Sequence, residues 1–131
     1  MIAVSRMDHL NMGVRSIDET EVFYRDNFGF VEKERGVALN GNPFAIIGLA
    51  DRVYLCIYEE GDLPIASENL LIHHFGLHVE DIDEALSELR DRGVHVDYGG
   101  FVQQGKSRSV YIRDPNGYAI ELVEKIGGDL H

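Results

Sequence analysis

HLNMGVRSIDETEVFYRD, residues 9–26, lies over HFGLHVEDIDEALSELRD, residues 74–91, when the chain is shifted by 65 positions. Seven of the 18 pairs are identical: His9/His74, Val14/Val79, Ile17/Ile82, Asp18/Asp83, Glu19/Glu84, Arg25/Arg90 and Asp26/Asp91. Ordinary residue usage would give about one. The same shift lays Val53–Glu60 over Tyr118–Lys125. A repeat of this kind points to two copies of one structural unit. The copies run over about 7–58 and about 72–125, with 59–71, EEGDLPIASENLL, as the linker. At 131 residues the two together make one ordinary domain.

Each copy opens on a strand. In 8–14, Leu10, Met12 and Val14 share one face, and His9, Asn11 and Gly13 share the other. In the second copy Phe75, Leu77 and Val79 are the apolar face, opposite His74, Gly76 and His78. A helix follows. Ser16-Ile17-Asp18-Glu19 has the form of a capping box, and Asp81-Ile82-Asp83-Glu84 starts the second helix in a related way. Ile82, Ala85, Leu86 and Leu89 recur at helical spacing, so one face packs on a sheet. Gly29 and Gly93 suit the helix ends. Strands are expected at 45–48 and 53–58 in the first copy. In the second they are expected at 94–98, 107–113 and 118–124, with Asp114-Pro115-Asn116-Gly117 as a turn. Each copy thus reads βαβββ, an α+β arrangement in which the helix covers one sheet face and leaves the other to line a site.

Composition narrows the function. The chain holds 12 Lys and Arg against 23 Asp and Glu, a formal net charge of −11. Nucleic-acid binding needs concentrated basic residues, so that class is excluded; the acidity itself is read as solubility. No apolar run approaches the ~18 residues of a membrane span. The opening Met1–Arg6 lacks the basic start and apolar core of a signal peptide. A lone Cys56 gives no intrachain disulfide. These features predict a cytoplasmic protein.

Strand alternation then sorts the polar side chains. Tyr118, Ile120 and Leu122 are the apolar face of the last strand, which sets Glu121 opposite. Val110 and Ile112 face the same core, which puts Ser109 and Tyr111 on Glu121's side. In the first copy Cys56 is the counterpart of Glu121, with Tyr54 and Tyr58 beside it. His9 and His74 occupy equivalent places. Two imidazoles and a carboxylate on one sheet face suit a divalent ion and leave coordination positions open. His9, His74 and Glu121 are therefore the candidate metal ligands, and Asn11, Tyr54, Tyr58 and Ser109 are candidate pocket residues on the same faces. His73, His95 and His131 are read as structural or incidental.

Asp8-His9-Leu10, Phe23-Tyr24-Arg25-Asp26, Phe28-Gly29-Phe30, His74-Phe75-Gly76-Leu77 and the run Asp114–Leu122, DPNGYAIEL, resemble the vicinal oxygen chelate superfamily. Glyoxalase I, fosfomycin-resistance proteins, extradiol dioxygenases and bleomycin-resistance proteins belong to it. The resemblance spans nearly the whole chain. It implies two βαβββ modules forming a cupped mixed sheet with helices outside, in a homodimer. It also implies a metal held at the positions of His9, Cys56, His74 and Glu121, the metal being Fe, Mn, Zn, Ni or Co.

Within the superfamily the match divides. Glyoxalase I carries a carboxylate where this chain has Cys56. Tyr54-Leu55-Cys56-Ile57 resembles the corresponding strand of the fosfomycin-resistance enzymes. Those enzymes place a lysine near Tyr98 and a threonine at Asn11; Lys106 and Arg108, in and beside the Gly105 loop, are the alternative anion donors here. Tyr111 stands ten residues before Glu121, as an active-site tyrosine does in extradiol dioxygenases, so the resemblance makes Tyr111, Glu121 and His78 the candidate catalytic side chains, Phe44 a further pocket residue, and Cys56 either a soft fourth ligand or a buried thiol. The resemblance implies a metal-dependent enzyme, a lyase, transferase or dioxygenase, whose small substrate chelates the metal through adjacent oxygens. The alternative is a metal-free small-molecule binding protein of the bleomycin-resistance type.

Overall fold

A computed structural model describes residues 1, 3, 7, 9–61, 74–104 and 107–124. The chain divides into two compact units, Met1–Pro64 and Ile65–His131. The first contains β1 (Leu10–Val14), α1 (Ile17–Phe28), β2 (Val31–Val37), β3 (Pro43–Leu49) and β4 (Val53–Glu59). The second contains β5 (Phe75–His78), α2 (Ile82–Asp91), a short 3₁₀ turn (Asp97–Gly99), β6 (Val102–Gln104), β7 (Ser107–Arg113) and β8 (Ala119–Glu124). Each unit is a four-stranded mixed sheet with one helix, and the strand orders β1-β4-β3-β2 and β5-β8-β7-β6 are the same topology. The opening strand runs parallel to the last strand of its unit; the other neighbours are antiparallel. Most of the proposed linker, 62–71, lies outside the described residues, as do His73, Lys106 and His131.

The helices form where the sequence caps them. The Ser16 hydroxyl accepts from the Glu19 N–H at 3.2 Å, and Asp81 accepts from the Glu84 N–H at 2.9 Å. A second carboxylate completes each start. The Ile17 N–H donates to Glu59 at 3.0 Å and the Ile82 N–H to Glu124 at 2.8 Å. These pairs are also 65 residues apart, so the last strand of each unit caps the helix of that unit at equivalent positions. A carboxylate there satisfies an N–H that the helix cannot and sits at the positive end of its dipole. Glu59→Ala and Glu124→Ala should each lower stability by about 1 kcal/mol. Urea denaturation of both variants checks this, and parent-like midpoints in both would discard it.

Apolar spacing decides what each helix covers. Ile17, Thr20 and Tyr24 are buried on α1, over Met12, Val14, Ala45, Ile47, Leu55 and Ile57. Ile82, Leu86 and Leu89 are buried on α2, over Val110, Ile112, Ile120 and Leu122. The sheet residues alternating with these point away from the helix. Gly29, at φ 70°, closes α1 in the left-handed conformation that glycine adopts without steric cost. In the β7–β8 turn, Asp114 accepts from the N–H groups of Asn116 and Tyr118, both at 2.9 Å. No helix of the described residues is long and apolar enough to cross a membrane.

Three sequence expectations change. Residues 94–98 are not a strand: Val96 makes a lone bridge to Ile112, and the chain then turns through Tyr98 at φ 60°, which breaks the extended run. The fourth strand of the second unit is instead β6, three residues long. In the first unit the βαβββ reading calls for a further strand that the sequence does not place, and it is β2. Its sequence, VEKERGV, is charged and exposed, and its pairing with β3 shifts register between Glu32 and Glu34. Its arginine faces the helix: Arg35 reaches Asp18 at 3.0 Å and Glu21 at 2.7 Å on α1.

Candidate active site

In the second unit the face turned away from α2 gathers four polar side chains. Register places Tyr111 of β7 against Glu121 of β8, and Glu121 against Gly76 of β5. The Glu121 Oε2 atom lies 3.0 Å from His74 Nε2, and its Oε1 accepts from the Ser109 hydroxyl at 2.6 Å. Tyr111 is the cross-strand neighbour of Glu121. Its ring meets the His74 ring edge-on, with centroids 5.4 Å apart. Gly76 faces this group: a Cβ there would lie in ordinary contact, 3.8 Å from Glu121 Oε2. Burial pushes the Glu121 carboxyl up, but the Ser109 and Tyr111 hydroxyls and His74 outweigh it, so Glu121 is held below the usual carboxylate range. Burial, then the neighbouring Glu121 charge, pushes the Tyr111 phenol up. The tyrosine therefore keeps its proton at neutral pH and remains a donor.

The equivalent face of the first unit is apolar. A shift of 65 replaces Tyr111 by Ile46, Glu121 by Cys56 and Ser109 by Phe44. Phe44 stacks on Tyr58, with centroids 5.7 Å apart and planes 29° from parallel. Cys56 is buried opposite Asn11 and Ile46, and the neighbouring thiol pushes the Tyr58 phenol up. Lys33 of β2 places its ammonium 4.6 Å from the centre of the Tyr54 ring. His9 is exposed at the start of β1, at the place His74 takes before β5.

The structure thus brings together His74, Ser109, Tyr111 and Glu121 in one unit and Phe44, Cys56 and Tyr58 in the other. Among the described residues no set of three His, Cys, Asp or Glu side chains gathers as a metal cage. His78 faces the same side as Gly76 but pairs with Val123, two positions along from Glu121. Arg108 is not an anion donor for this face. It alternates with Ser109, so it points to the helix side and binds Asp83 of α2 at 3.0 Å. His95 lies 3.6 Å from Asp97, outside the group. Ser109 was expected only to line a pocket, whereas it holds the carboxylate. Lys33 was missed because it sits in the irregular part of β2. Tyr98 was noted only by its place in relatives; its ring contacts Tyr111 edge-on at 5.7 Å.

The family model described as Glyoxalase/Bleomycin resistance protein/Dioxygenase superfamily matches residues 6–122. The chain belongs to this superfamily. A manganese-dependent 2,3-dihydroxybiphenyl 1,2-dioxygenase from Geobacillus genomosp. 3 is 30% identical over 129 residues, covering 92% of this chain. The chain spans only 40% of that relative's length. The fosfomycin resistance protein FosX from Listeria monocytogenes is 24% identical over 123 residues, covering 91% of this chain and 89% of the relative. The structure of FosX complexed with Mn(II) and sulfate matches with a TM-score of 0.70 at 19% identity, covering 95% of this chain and 96% of that one. A glyoxylase/bleomycin resistance protein/dioxygenase domain from Frankia sp. EAN1pec matches with a TM-score of 0.79 at 21% identity, covering 98% of each chain. At these identities the structural likeness establishes the fold, and the superfamily includes metal-dependent enzymes.

Proposed function

We propose that this protein is a divalent-metal-dependent enzyme of the superfamily, acting on a small molecule that presents two adjacent oxygens. The observation that carries the reading is the meeting of His74 and Glu121 at 3.0 Å on the sheet face turned away from α2. The donor set fits a divalent cation: an imidazole nitrogen and a half-buried carboxylate meet at one point, and a cation there would balance the carboxylate's charge. His74 and Glu121 would hold the ion, with His9 as the third ligand from the equivalent position of the first unit. Bound there, a divalent ion supplies Lewis-acid stabilisation of negative charge on adjacent oxygens. The manganese named for the dioxygenase and for the FosX complex makes Mn(II) the first ion to test.

The protein's own groups have distinct tasks in this reading. Ser109 fixes one Glu121 oxygen and so orients the other. Tyr111 keeps its proton and can donate a hydrogen bond to a bound anionic oxygen. His78, farther along the wall, is the proposed second proton-handling group. Asn11, Phe44, Tyr54 and Tyr58 form the proposed pocket surface for the apolar part of the substrate. Cys56 stands at the fourth ligand position that the resemblance implies, and its burial in the apolar face favours a packing role. The dimer is part of the proposal, because among the described residues the sheets end on β1 and β2 and on β5 and β6, edges that pairing can cover. Sedimentation at micromolar concentration should show two chains per particle.

The test is calorimetric titration of metal-stripped protein with Mn(II), with one ion per chain expected. Ser109→Ala, which removes a hydrogen bond to a ligand rather than a ligand, should weaken that binding by about tenfold. Absence of binding to Mn(II) and to Fe(II), Co(II), Ni(II) and Zn(II) would overturn the reading. Retained binding of apolar small molecules in that case would favour a metal-free binding protein.

A further inference from the structure

Tyr98 holds a conformation that its residue type disfavours. It sits at φ 60°, ψ 11°, inside the 3₁₀ turn, and Gly99 and Gly100 follow at φ 76° and 151°. Among the described residues the other non-glycine at positive φ is Asp51, a type that tolerates the left-handed region. A tyrosine there crowds its Cβ against the backbone, which glycine avoids and asparagine offsets. Such strain persists where the surroundings enforce it. Here three ties do so. Val96 bridges to Ile112, Arg113 binds Asp97 at 3.0 Å, and Arg90 of α2 donates to the Gly99 carbonyl at 3.3 Å.

Burial does not explain the tyrosine, because Tyr98 is 71% exposed. Its ring instead meets the Tyr111 ring at 5.7 Å and 88°, while the His74 ring meets Tyr111 at 5.4 Å and 90°. Tyr111 is thus contacted edge-on by two rings beside its cross-strand partner Glu121.

We propose that Tyr98 is a positioning residue for Tyr111: the strained turn presses its ring on Tyr111 and keeps the Tyr111 side chain beside Glu121. This rests on the proposed function for its purpose, but not for its geometry. The ring is the working part, so phenylalanine should substitute and asparagine should not. Asparagine accepts the left-handed conformation, which separates the ring's role from the turn's.

The experiment compares parent, Tyr98→Phe and Tyr98→Asn by NMR of protein labelled with ring-¹³C tyrosine, without metal. The Tyr111 ring signals should keep parent positions and line shapes in Tyr98→Phe, apart from small ring-current changes. In Tyr98→Asn they should move and broaden, while the urea midpoint stays equal to or above the parent's. In Mn(II)-loaded protein, affinity for 4-nitrocatechol, a chromophoric vicinal diol, should fall about fivefold in Tyr98→Asn and stay within twofold in Tyr98→Phe. Unmoved Tyr111 signals in Tyr98→Asn would overturn the proposal. So would a lowered urea midpoint, which would show that the ring serves the fold. A parent that takes up no Mn(II) would count against the metal reading alone, and the metal-free ring signals would still decide the role of Tyr98.

Discussion

Glu121→Ala is expected to weaken Mn(II) binding by more than about a hundredfold, beyond the 10–100-fold typical for loss of a group that merely supports a ligand. Glu121 is the negatively charged member of the proposed ligand set; His74 and His9 bind a metal as neutral imidazoles. Removing it takes away both a ligand and the charge that opposes the cation. Glu121→Gln narrows the difference, since it keeps the shape and one acceptor oxygen but loses the charge and the second acceptor; it should fall between parent and alanine. His74→Ala should also weaken binding severely, by loss of a nitrogen ligand. The alanine variant at 121 also leaves the Ser109 hydroxyl without its acceptor, at a cost of about 1–3 kcal/mol where water cannot reach it. Circular dichroism must therefore show native folding before titrations are compared. A folded Glu121→Ala protein that binds Mn(II) as tightly as the parent would remove Glu121 from the ligand set, and the same result for His74→Ala would remove His74.

Much of this wall was legible because strand alternation is a rigid rule. Once Val110, Ile112, Ile120 and Leu122 were read as core, Ser109, Tyr111 and Glu121 had to share the other face. The 65-residue shift carried equal information, since it paired His9 with His74 and anticipated matching topologies. What was not legible depended on contacts distant in the chain. β2 carries Glu32, Lys33, Glu34 and Arg35 in a row, and a register shift interrupts its alternation, so no apolar period marked it. The run 94–98 looked extended because nothing local announces that Tyr98 adopts a glycine-like conformation; that is imposed by Arg90, Arg113 and Ile112. The hydrogen bond from Ser109 to Glu121 follows from side-chain rotamers rather than from spacing. The first unit's apolar face was legible as residue types, but the Phe44–Tyr58 stack and the Lys33–Tyr54 pair needed the folded sheet.

Gly48→Ala should be the most damaging single methyl group in the first unit, costing about 3 kcal/mol, the upper part of the usual range for overpacking. For a domain of this size that is a fall of roughly 10 °C in Tm. Gly48 pairs with Tyr54 across the β3–β4 ladder, just before a tight return through Asp51 at φ 59°. A Cβ at Gly48 would overlap the carbonyl oxygen of Val53, and would lie 2.8 Å from Tyr54 Cδ1 and 3.0 Å from Tyr54 Cα. Two of those three atoms are backbone, in strands joined by the Arg52 N–H bond to Leu49 at 3.1 Å, so the clash cannot be relieved by turning a side chain. Relief requires β3 and β4 to separate at their tight end. Tyr54 would move with them, and its contact with Lys33 would be lost. Gly36→Ala is the control. Its added Cβ would meet the far end of the Phe44 ring, at 3.0 Å, and that ring can shift by a few tenths of an ångström. The control should cost less than about 1 kcal/mol, the range for substitutions that the neighbours can absorb. Thermal melts of the two variants side by side test the argument. Equal losses in both would show that the strands yield as easily as the ring, and that the close approach at Gly48 does not constrain the fold.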